Sequence, residues 1–218
     1  MRIRLKKWAR PELDACLFYI PEPALCRGIW RQKFERPSPL YVELGCGKGV
    51  STSQMALCEP DINLVAVDIN TSVLGVARRN ASAAFEGKRA VDNLLLTNFE
   101  VERIREYFAP EDRVERIYIS FPNPWNQRHR QEKHRLTHTR QLLLYRDILA
   151  DGAQIWFKTD NDPLFEDSLT YFTDAGYEIV EKFYDLHAEW KGPNYISEHE
   201  KLFTDQGIKT KALIAIKK

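Results

Sequence analysis

Apolar runs rich in β-forming residues alternate with segments of helical periodicity along most of the chain. Strands are predicted at 40–44, 64–69, 93–98, 114–120, 153–158, 177–185 and 210–216. Helices are predicted at 50–58, 71–84, 99–108, 137–149 and 163–175. The first five strands are separated by stretches long enough for crossover helices, which favours a seven-stranded, mostly parallel sheet covered on both faces. A long, helix-poor stretch precedes the last strand, which is expected to be antiparallel.

The length of 218 residues and the hydrophobic content of 44% fit one sizeable core. We expect a basic N-terminal arm at 1–36, packed on a single domain at 37–218. The four cysteines include no C-x-x-C pair, so neither a zinc site nor a disulfide scaffold is indicated. Because no apolar run approaches the ~20 residues of a membrane span, we expect a cytoplasmic protein without membrane contact.

The net charge of +1 conceals basic segments that are separated by acidic ones. Lysine and arginine are in excess at 1–36, 121–140 and 201–218, whereas acidic residues are in excess at 37–120 and 141–200. The fold can bring the three basic segments into one phosphate-binding surface, although separate basic runs are more often solvated faces.

The stretch VELGCGKG at 42–49 leads from a predicted strand through Gly45, Gly47 and Gly49 into a predicted helix. An α/β fold uses such a turn to place bare backbone and a helix N-terminus against a nucleotide-like ligand. The spacing matches neither a Walker A loop, since no Ser or Thr follows Lys48, nor the G-x-G-x-x-G pattern. Taken alone, the glycines are equally compatible with a simple tight turn.

Two carboxylates flank this turn, since Glu43 precedes the glycines and Asp68 ends the next strand. Open α/β sheets bind ligands at such neighbouring strand ends. Glu43 can meet the amino group of a methionine-like moiety and Asp68 can accept both ribose hydroxyls, so the pair favours S-adenosylmethionine as cofactor. Asn98 and Glu100, after the third strand, are the next expected contacts, for the adenine, although Asn98 alone fits a helix N-cap.

The stretch SFPNPWNQRHRQEKHRL at 120–136 follows the fourth predicted strand, and its prolines argue against a regular helix or strand. This loop occupies the strand end that faces the reactive carbon of the cofactor. Asn123, Pro124 and Trp125 are therefore expected to form the floor of a methyl-acceptor site. The alternative is a structural proline turn with a packed tryptophan.

Several motifs in the same order resemble those of the bacterial tRNA (guanine-N7)-methyltransferases. SFPNPWNQRHRQEKHRLTH resembles S-D-P-W-P-K-K-R-H…R-R-L-T, and FKTDNDPLFEDSL resembles F-K-T-D-N…L-F-E-x-S-L. MRIRLKKWA, ELGCGKG and SEHEKLF resemble M-R-x-R-x-K-x-W-A, E-x-G-x-G-K-G and T-E-Y-E-x-K-F. The resemblance spans nearly the whole chain. It implies a Rossmann-like class I S-adenosylmethionine-dependent methyltransferase of α/β fold, which methylates N7 of a guanosine in the variable loop of tRNA.

Guanine N7 carries a lone pair and no proton, so the reaction needs no general base. The site must orient N7 and tolerate the positive charge that appears on the ring. In the family, an aspartate near cofactor and base occupies the position of Asn123, whose amide accepts a hydrogen bond but carries no charge. Asp160 matches a family residue that contacts the substrate, although a helix N-cap is an alternative role. Both are expected catalytic residues.

The stretch SEHE aligns with the family's T-E-Y-E. Ser197 and Glu200 take the places of the Thr and the final Glu, which in the family reach the target guanine. Glu200 is expected to bond the Watson–Crick edge of the guanine and to be the third catalytic residue. Glu198 and His199 are expected substrate contacts, and His199 replaces the family's Tyr.

Basic side chains of the 120–136 loop are expected to contact the tRNA phosphates; these are Arg128, Arg130, Lys133 and Arg135. The N-terminal arm and the C-terminal lysines are expected to help, the arm through Arg2, Arg4, Lys6 and Lys7. Gln127 replaces a family lysine and is still an expected substrate contact, in a loop that is one residue longer than the family's.

Two other functions stay open. One is a catalytically degenerate paralogue that only binds tRNA or cofactor. The other is an N-methyltransferase acting on a different nucleobase, because Asn-Pro-Trp resembles the Asn-Pro-Pro-aromatic motif of such enzymes. A metal site at His129, His134 and His138 is disfavoured, since methyl transfer to N7 needs no metal. We expect tRNA as the partner, no metal, and a monomer or homodimer.

Overall fold

The computed structural model describes residues 5–218. Arg2 and Arg4, two of the expected phosphate contacts, lie outside the described residues. Of the helices in the described range, none combines the length and the apolar character that crossing a bilayer requires.

Within residues 5–218, eight strands form one sheet. They are β1 (Tyr19–Ile20), β2 (Leu40–Leu44), β3 (Asn63–Val67), β4 (Leu94–Thr97), β5 (Val114–Ser120), β6 (Leu149–Thr159), β7 (Tyr177–Phe183) and β8 (Lys211–Lys217). Their order across the sheet is β1-β4-β3-β2-β5-β6-β8-β7. β8 pairs antiparallel with β6 and β7, and the other pairs are parallel. The predicted seven strands and the antiparallel last strand are confirmed, and the two-residue β1 is an addition at the edge.

Helices cover both faces of the sheet. They are α1 (Ala9–Asp14), α2 (Val50–Cys58), α3 (Thr71–Phe85), α4 (Thr139–Ile148), α5 (Asp162–Asp174), α6 (Leu186–Glu189) and α7 (Glu198–Asp205). Leu64 and Val65, adjacent in β3, belong to different buried clusters, because side chains alternate along a strand. The cluster that contains Leu64 includes residues of α1, α2 and α3, whereas the cluster that contains Val65 includes residues of α4 and α5.

Two predicted features differ from the structure. Residues 99–108, predicted to be helical, hold only a 3₁₀ segment at Val101–Glu106, which is interrupted at Arg103 (φ −105°, ψ 23°). Gln141 Nε2 donates to the carbonyl of Val101 at 2.9 Å, so a side chain of α4 occupies an acceptor that a regular helix would use itself. The stretch before the last strand, predicted to be helix-poor, contains α6 and α7.

The N-terminal arm is fixed to the sheet layer by buried polar and close backbone contacts. Asp112 is 1% exposed and accepts hydrogen bonds from the backbone N–H groups of Gly28 and Trp30, both at 2.9 Å. α1 lies so close to α3 that a Cβ atom on Gly75 would meet the Cβ atom of Ala9 at 2.5 Å. These contacts hold the N-terminal arm against α3 and against the segment that precedes β5.

The loop between β2 and α2 requires glycine. Gly45, Gly47 and Gly49 have φ values of +82°, +56° and +68°, which other L residues rarely adopt. At Gly49 a Cβ atom would also lie 2.8 Å from the Cβ atom of Ala77 in α3. Because Gly49 immediately precedes α2, this close approach fixes the start of α2 beside α3 and holds the glycine loop at the edge of the sheet.

Candidate active site

The carboxyl ends of β2, β3, β4, β5 and β6 lie side by side, because these strands are parallel neighbours. The chain leaves β2 toward α2 on one face of the sheet and leaves β5 toward α4 on the other. Open α/β sheets bind ligands in the crevice that such opposite connections leave. Glu43, Asp68, Asn98, Asn123 and Asp160 all lie at this edge.

Gly45 and Gly47 present bare backbone at the edge. The N–H groups of Gly45 and Cys46 both donate to the carbonyl of Val67, at 2.8 and 2.9 Å, which pins the loop onto the end of β3. A Cβ atom built on Gly45 or Gly47 would meet no atom of the described chain within 4 Å. The loop therefore leaves room for a ligand directly against its backbone.

Asp68 braces the same loop. Its carboxylate accepts hydrogen bonds from the N–H of Gly47 at 3.0 Å and from the N–H of Asn70 at 2.8 Å. Burial raises the pKa of the Asp68 carboxyl, and these two donors offset part of that effect. Asn98 Nδ2 donates to the carbonyl of Asp68 at 2.7 Å, so Asn98 joins β4 to β3 and does not cap a helix. Glu100 is exposed just beyond it.

Glu43 is buried, with an exposed fraction of 2%, and faces α2. Thr52 Oγ1 donates to its carboxylate at 2.5 Å. Burial raises the pKa of the Glu43 carboxyl, while the Thr52 hydrogen bond and the Lys158 ammonium act against the rise. The carboxylate lines a cavity of about 450 Å³, whose walls include the aromatic rings of Tyr118 and Trp156.

The loop after β5 holds a strained backbone. Phe121 and Trp125 have positive φ values of 51° and 46°, which is unusual for aromatic residues. Asn123 is exposed, and its Oδ1 accepts a hydrogen bond from the N–H of Trp125 at 3.0 Å. Strain of this kind persists only where the surroundings impose it, and it concentrates at functional sites. The side-chain amide group of Asn123 remains directed to the protein surface.

Asp160 keeps a carboxylate without a hydrogen-bond partner in the described chain. The N-cap role belongs to its neighbour, because Asn161 Oδ1 accepts from the N–H of Leu164 at 2.9 Å. Asp160 is half-buried just beyond β6. Its charge is therefore available to a ligand at the edge of the sheet.

The four residues of SEHE open α7 and differ in their surroundings. Ser197 is the N-cap, and its Oγ accepts from the N–H of Glu200 at 3.1 Å. Glu198 forms an exposed ion pair with Lys48 of the glycine loop at 2.8 Å. The ring of His199 lies 6.3 Å from the ring of Phe121. Thus the start of α7 contacts both the glycine loop and the loop after β5.

Glu200 requires a correction. It is expected to bond the guanine edge, but its exposed fraction is 0% and its carboxylate is directed into the protein. Lys158 Nζ donates to Oε2 at 2.6 Å and Asn194 Nδ2 donates to Oε1 at 2.7 Å. His187 Nε2 lies 3.2 Å from Oε1. Since all these partners are protein groups, both oxygens of Glu200 are bonded inside the protein, and its contact with guanine is not supported by this structure.

The basic loop divides into exposed and buried members. Its exposed side chains are those of Gln127, Arg128, Arg130 and Lys133. Arg135, expected to contact phosphate, is instead 2% exposed and donates to the Pro124 carbonyl and the Asp167 carboxylate, both at 2.7 Å. Its guanidinium serves to fold the loop, because its donors are used inside the protein.

The histidines of this region have structural partners. His134 Nδ1 lies 2.6 Å from Glu102 Oε1, and the His134 ring contacts that of Trp125. His138 Nδ1 accepts from the N–H of Arg140 at 3.1 Å and so caps α4. Within residues 5–218, no three His, Cys, Asp or Glu side chains converge in a way that could hold a metal ion.

Two further residues at the edge were not singled out from the sequence. Ile69 follows Asp68, and 66% of its surface is exposed, which gives an apolar face beside the carboxylate. Lys158 ends β6 beside the cavity and bonds Glu200. In the sequence, Lys158 closes the AQIWFK run on the same strand face as Gln154 and Trp156, and nothing local distinguishes it from an ordinary half-exposed strand residue.

Comparison with known proteins relates this chain to methyltransferases. A family model described as "Putative methyltransferase" matches residues 37–213. The chain is 47% identical to the tRNA (guanine-N(7)-)-methyltransferase of Clostridium botulinum over 218 residues, covering 100% of this chain and 99% of that protein. It is 48% identical to the protein of the same name from Clostridium beijerinckii, again over 218 residues, with 100% and 99% covered.

Solved structures share the fold at low sequence identity. An antibiotic-related methyltransferase superposes with a TM-score of 0.57 at 14% identity, covering 99% of this chain and 95% of the other. The 16S rRNA methyltransferase KamB superposes with a TM-score of 0.58 at 15% identity, covering 86% and 91%. These likenesses support the Rossmann-like class I methyltransferase fold.

Replacing Arg135 by Met should lower the free energy of unfolding by about 2–4 kcal/mol, because buried charge-assisted hydrogen bonds are lost. Replacing the exposed Arg130 by Met is the matched control and should change the stability by less than about 0.5 kcal/mol. Urea unfolding of both variants measures the difference. Equal stability of the two variants would contradict the buried placement of Arg135.

Proposed function

This chain belongs to the tRNA (guanine-N7)-methyltransferase family, and we propose that it transfers the methyl group of S-adenosylmethionine to N7 of a guanosine in the variable loop of tRNA. The observation that carries the proposal is identity of 47% to such an enzyme over the full length of both chains. The carboxyl edge of the sheet supports it, since it combines a bare glycine loop with the buried carboxylate of Glu43 and the half-buried carboxylate of Asp68.

The residues at the edge suit S-adenosylmethionine. Gly45 and Gly47 leave space for it against their backbone, and Asp68 retains lone pairs for the ribose hydroxyls beyond the two N–H groups that it already accepts. The exposed side chain of Ile69 and the amide of Asn98 suit the adenine, and Glu43 suits the methionine amino group. The cofactor supplies an electrophilic methyl carbon on a sulfonium sulfur.

Methyl transfer to guanine N7 needs orientation more than proton transfer. N7 attacks the methyl carbon with its lone pair, the bond from carbon to sulfur breaks with its electron pair going to sulfur, and the positive charge passes to the purine. No proton is lost at N7. The chain must therefore hold the purine in line with the methyl group and keep water away, which accounts for much of the catalysis in such displacements.

Asp160 and Asn123 are the groups proposed to face the purine. The Asp160 carboxylate has no hydrogen-bond partner within the described chain, and its negative charge can stabilise the cationic ring as it forms. Asn123 lies in the strained loop opposite, where its Oδ1 bonds Trp125. An amide there stabilises the cation less than a carboxylate does, but Asp160 retains a charge for this purpose.

The exposed side chains of the basic loop are proposed to bind the tRNA phosphates; they are Arg128, Arg130 and Lys133, with Gln127 beside them. Phosphate contacts of this type orient the nucleic acid without reading its sequence. Binding that depends on them weakens steeply as the salt concentration rises. Ser197, Glu198 and His199 stand at the start of α7, which contacts both the glycine loop and the loop after β5, and they are proposed to contact the target nucleoside.

A second candidate function rests on Asn123. Because an uncharged amide occupies the position of the family's aspartate, the chain can also be read as a paralogue that binds tRNA without methylating it. Such a protein binds tRNA in a salt-dependent manner and gives no product.

The wild-type protein should transfer radiolabelled methyl groups from S-adenosylmethionine to unmodified tRNA and yield 7-methylguanosine on nucleoside analysis. Asn123→Asp should change kcat by less than about tenfold, because the Asp160 carboxylate is proposed to supply a negative charge beside the purine already. Activity of Asn123→Asp alone would identify the wild type as a binding paralogue. A different methylated nucleoside would identify another acceptor, and inactivity of both proteins would refute methyl transfer to tRNA.

Asp68→Asn should weaken binding of S-adenosylmethionine about 10- to 100-fold, because hydrogen bonds to a charged acceptor are lost. Asp61→Asn, at an exposed position before β3, is the matched control and should bind as the wild type does. Since burial raises the pKa of Asp68, wild-type affinity should also fall on mild acidification, as protonation removes the charge. Calorimetric titration measures both effects, and unchanged affinity of Asp68→Asn would exclude this site.

A further inference from the structure

We propose that Lys158 is a positioning residue, which holds α7 over the acceptor side of the site through a buried ion pair with Glu200. The effect on catalysis that this inference predicts rests on the proposed function. Its structural part, the fixing of α7, is independent of that function.

The three donors of the Lys158 ammonium all have partners within the α6–α7 segment, defined as residues 186–205. Nζ donates to Glu200 Oε2 at 2.6 Å, to Asn194 Oδ1 at 3.0 Å and to the carbonyl of Tyr195 at 3.1 Å. A lysine ammonium has only three donors, so none is left for a ligand. Lys158 therefore uses all three of its donors to bond the α6–α7 segment.

The carboxylate of Glu200 is also fully bonded within the protein. Both of its oxygens have partners, Lys158 at Oε2, and Asn194 and His187 at Oε1. Asn194 bonds both charged groups, through Oδ1 to Lys158 and through Nδ2 to Glu200. The cluster therefore joins β6, α6, the 190–197 loop and α7 in a single hydrogen-bonded unit.

The position of α7 explains why this unit matters to the reaction. Glu198 pairs with Lys48 of the glycine loop, and the His199 ring lies beside Phe121 of the loop after β5. Those contacts are exposed or loose, and exposed ion pairs contribute little to stability. The buried pair of Lys158 and Glu200 is the strong attachment, so it determines where Ser197, Glu198 and His199 stand.

Lys158 also links the α7 attachment to the cofactor side. It lines the same cavity as Glu43, and its charge favours the ionised form of that carboxyl. One ammonium thus acts electrostatically on the carboxylate of Glu43 in β2 and bonds the carboxylate of Glu200 in α7.

Three variants test the proposal, together with a control. Lys158→Met removes the ammonium and leaves the buried Glu200 charge without it, whereas Lys158→Met/Glu200→Leu removes both charges and so separates loss of the attachment from the penalty of an unpaired buried charge. Lys201→Met, which breaks an exposed pair with Asp205 on α7, is the matched control. Glu200→Gln is the third variant.

Hydrogen exchange measures the structural part. In Lys158→Met and in the double variant, amides of 186–205 should exchange faster while those of β2 to β6 stay protected. Lys201→Met should exchange as the wild type does. Unchanged protection of 186–205 in both Lys158 variants would overturn the proposal, whether or not the protein methylates tRNA.

Kinetics measure the consequence. In the double variant kcat should fall about 100-fold through misplacement of the acceptor, while the Kd for tRNA, set by the basic loop, changes less than about twofold.

Glu200→Gln should slow transfer to tRNA with guanosine and to tRNA with inosine at the target position by the same factor. An effect of Glu200→Gln that vanishes with inosine, which lacks the exocyclic amine, would show direct contact with the base and overturn the positioning role. Inactivity of the wild type would instead refute the proposed function.

Discussion

Parallel pairing of β2 with β3 and with β5 is the constraint on which the site depends. Parallel strands end at the same edge, so the short segments after β2, β3, β4, β5 and β6 meet there although they are far apart in the chain. The connections from β2 and β5 leave to opposite faces and open a crevice between them. The proposed cofactor contacts Gly45, Gly47 and Asp68 follow β2 and β3, and the proposed acceptor loop follows β5.

The charged side chains near this edge of the sheet differ in whether their hydrogen-bonding capacity is used up by other protein groups. Asp68 is bonded only to backbone N–H groups, and Asp160 has no partner within residues 5–218, so both retain capacity for a ligand. Glu200 and Arg135 are as strongly charged, but their partners are protein groups. The residue type alone therefore does not reveal whether a charge binds a ligand or holds the site together.

Elements that are defined by a local sequence pattern could be predicted from the sequence. β2, β5 and α2 have the predicted bounds, because apolar runs and the glycine turn define them locally. The burial of Glu200 escaped prediction, since its partner Lys158 lies 42 residues away and only the folded chain brings them together. The two-residue β1 and the short α6 carry too little periodicity to be recognised. Asn161, and not Asp160, caps α5, whereas ligand binding by Asp160 stays a prediction.

The central claim is that N7 of guanine attacks the methyl group directly at this edge. The most direct measurement compares methyl transfer to a tRNA transcript containing guanosine with transfer to one containing 7-deazaguanosine, which has carbon in place of N7. The account predicts that the 7-deaza transcript accepts no methyl group but competes for binding with an affinity similar to that of normal tRNA. Methyl incorporation into the 7-deaza transcript would contradict it, because another atom would then be the acceptor.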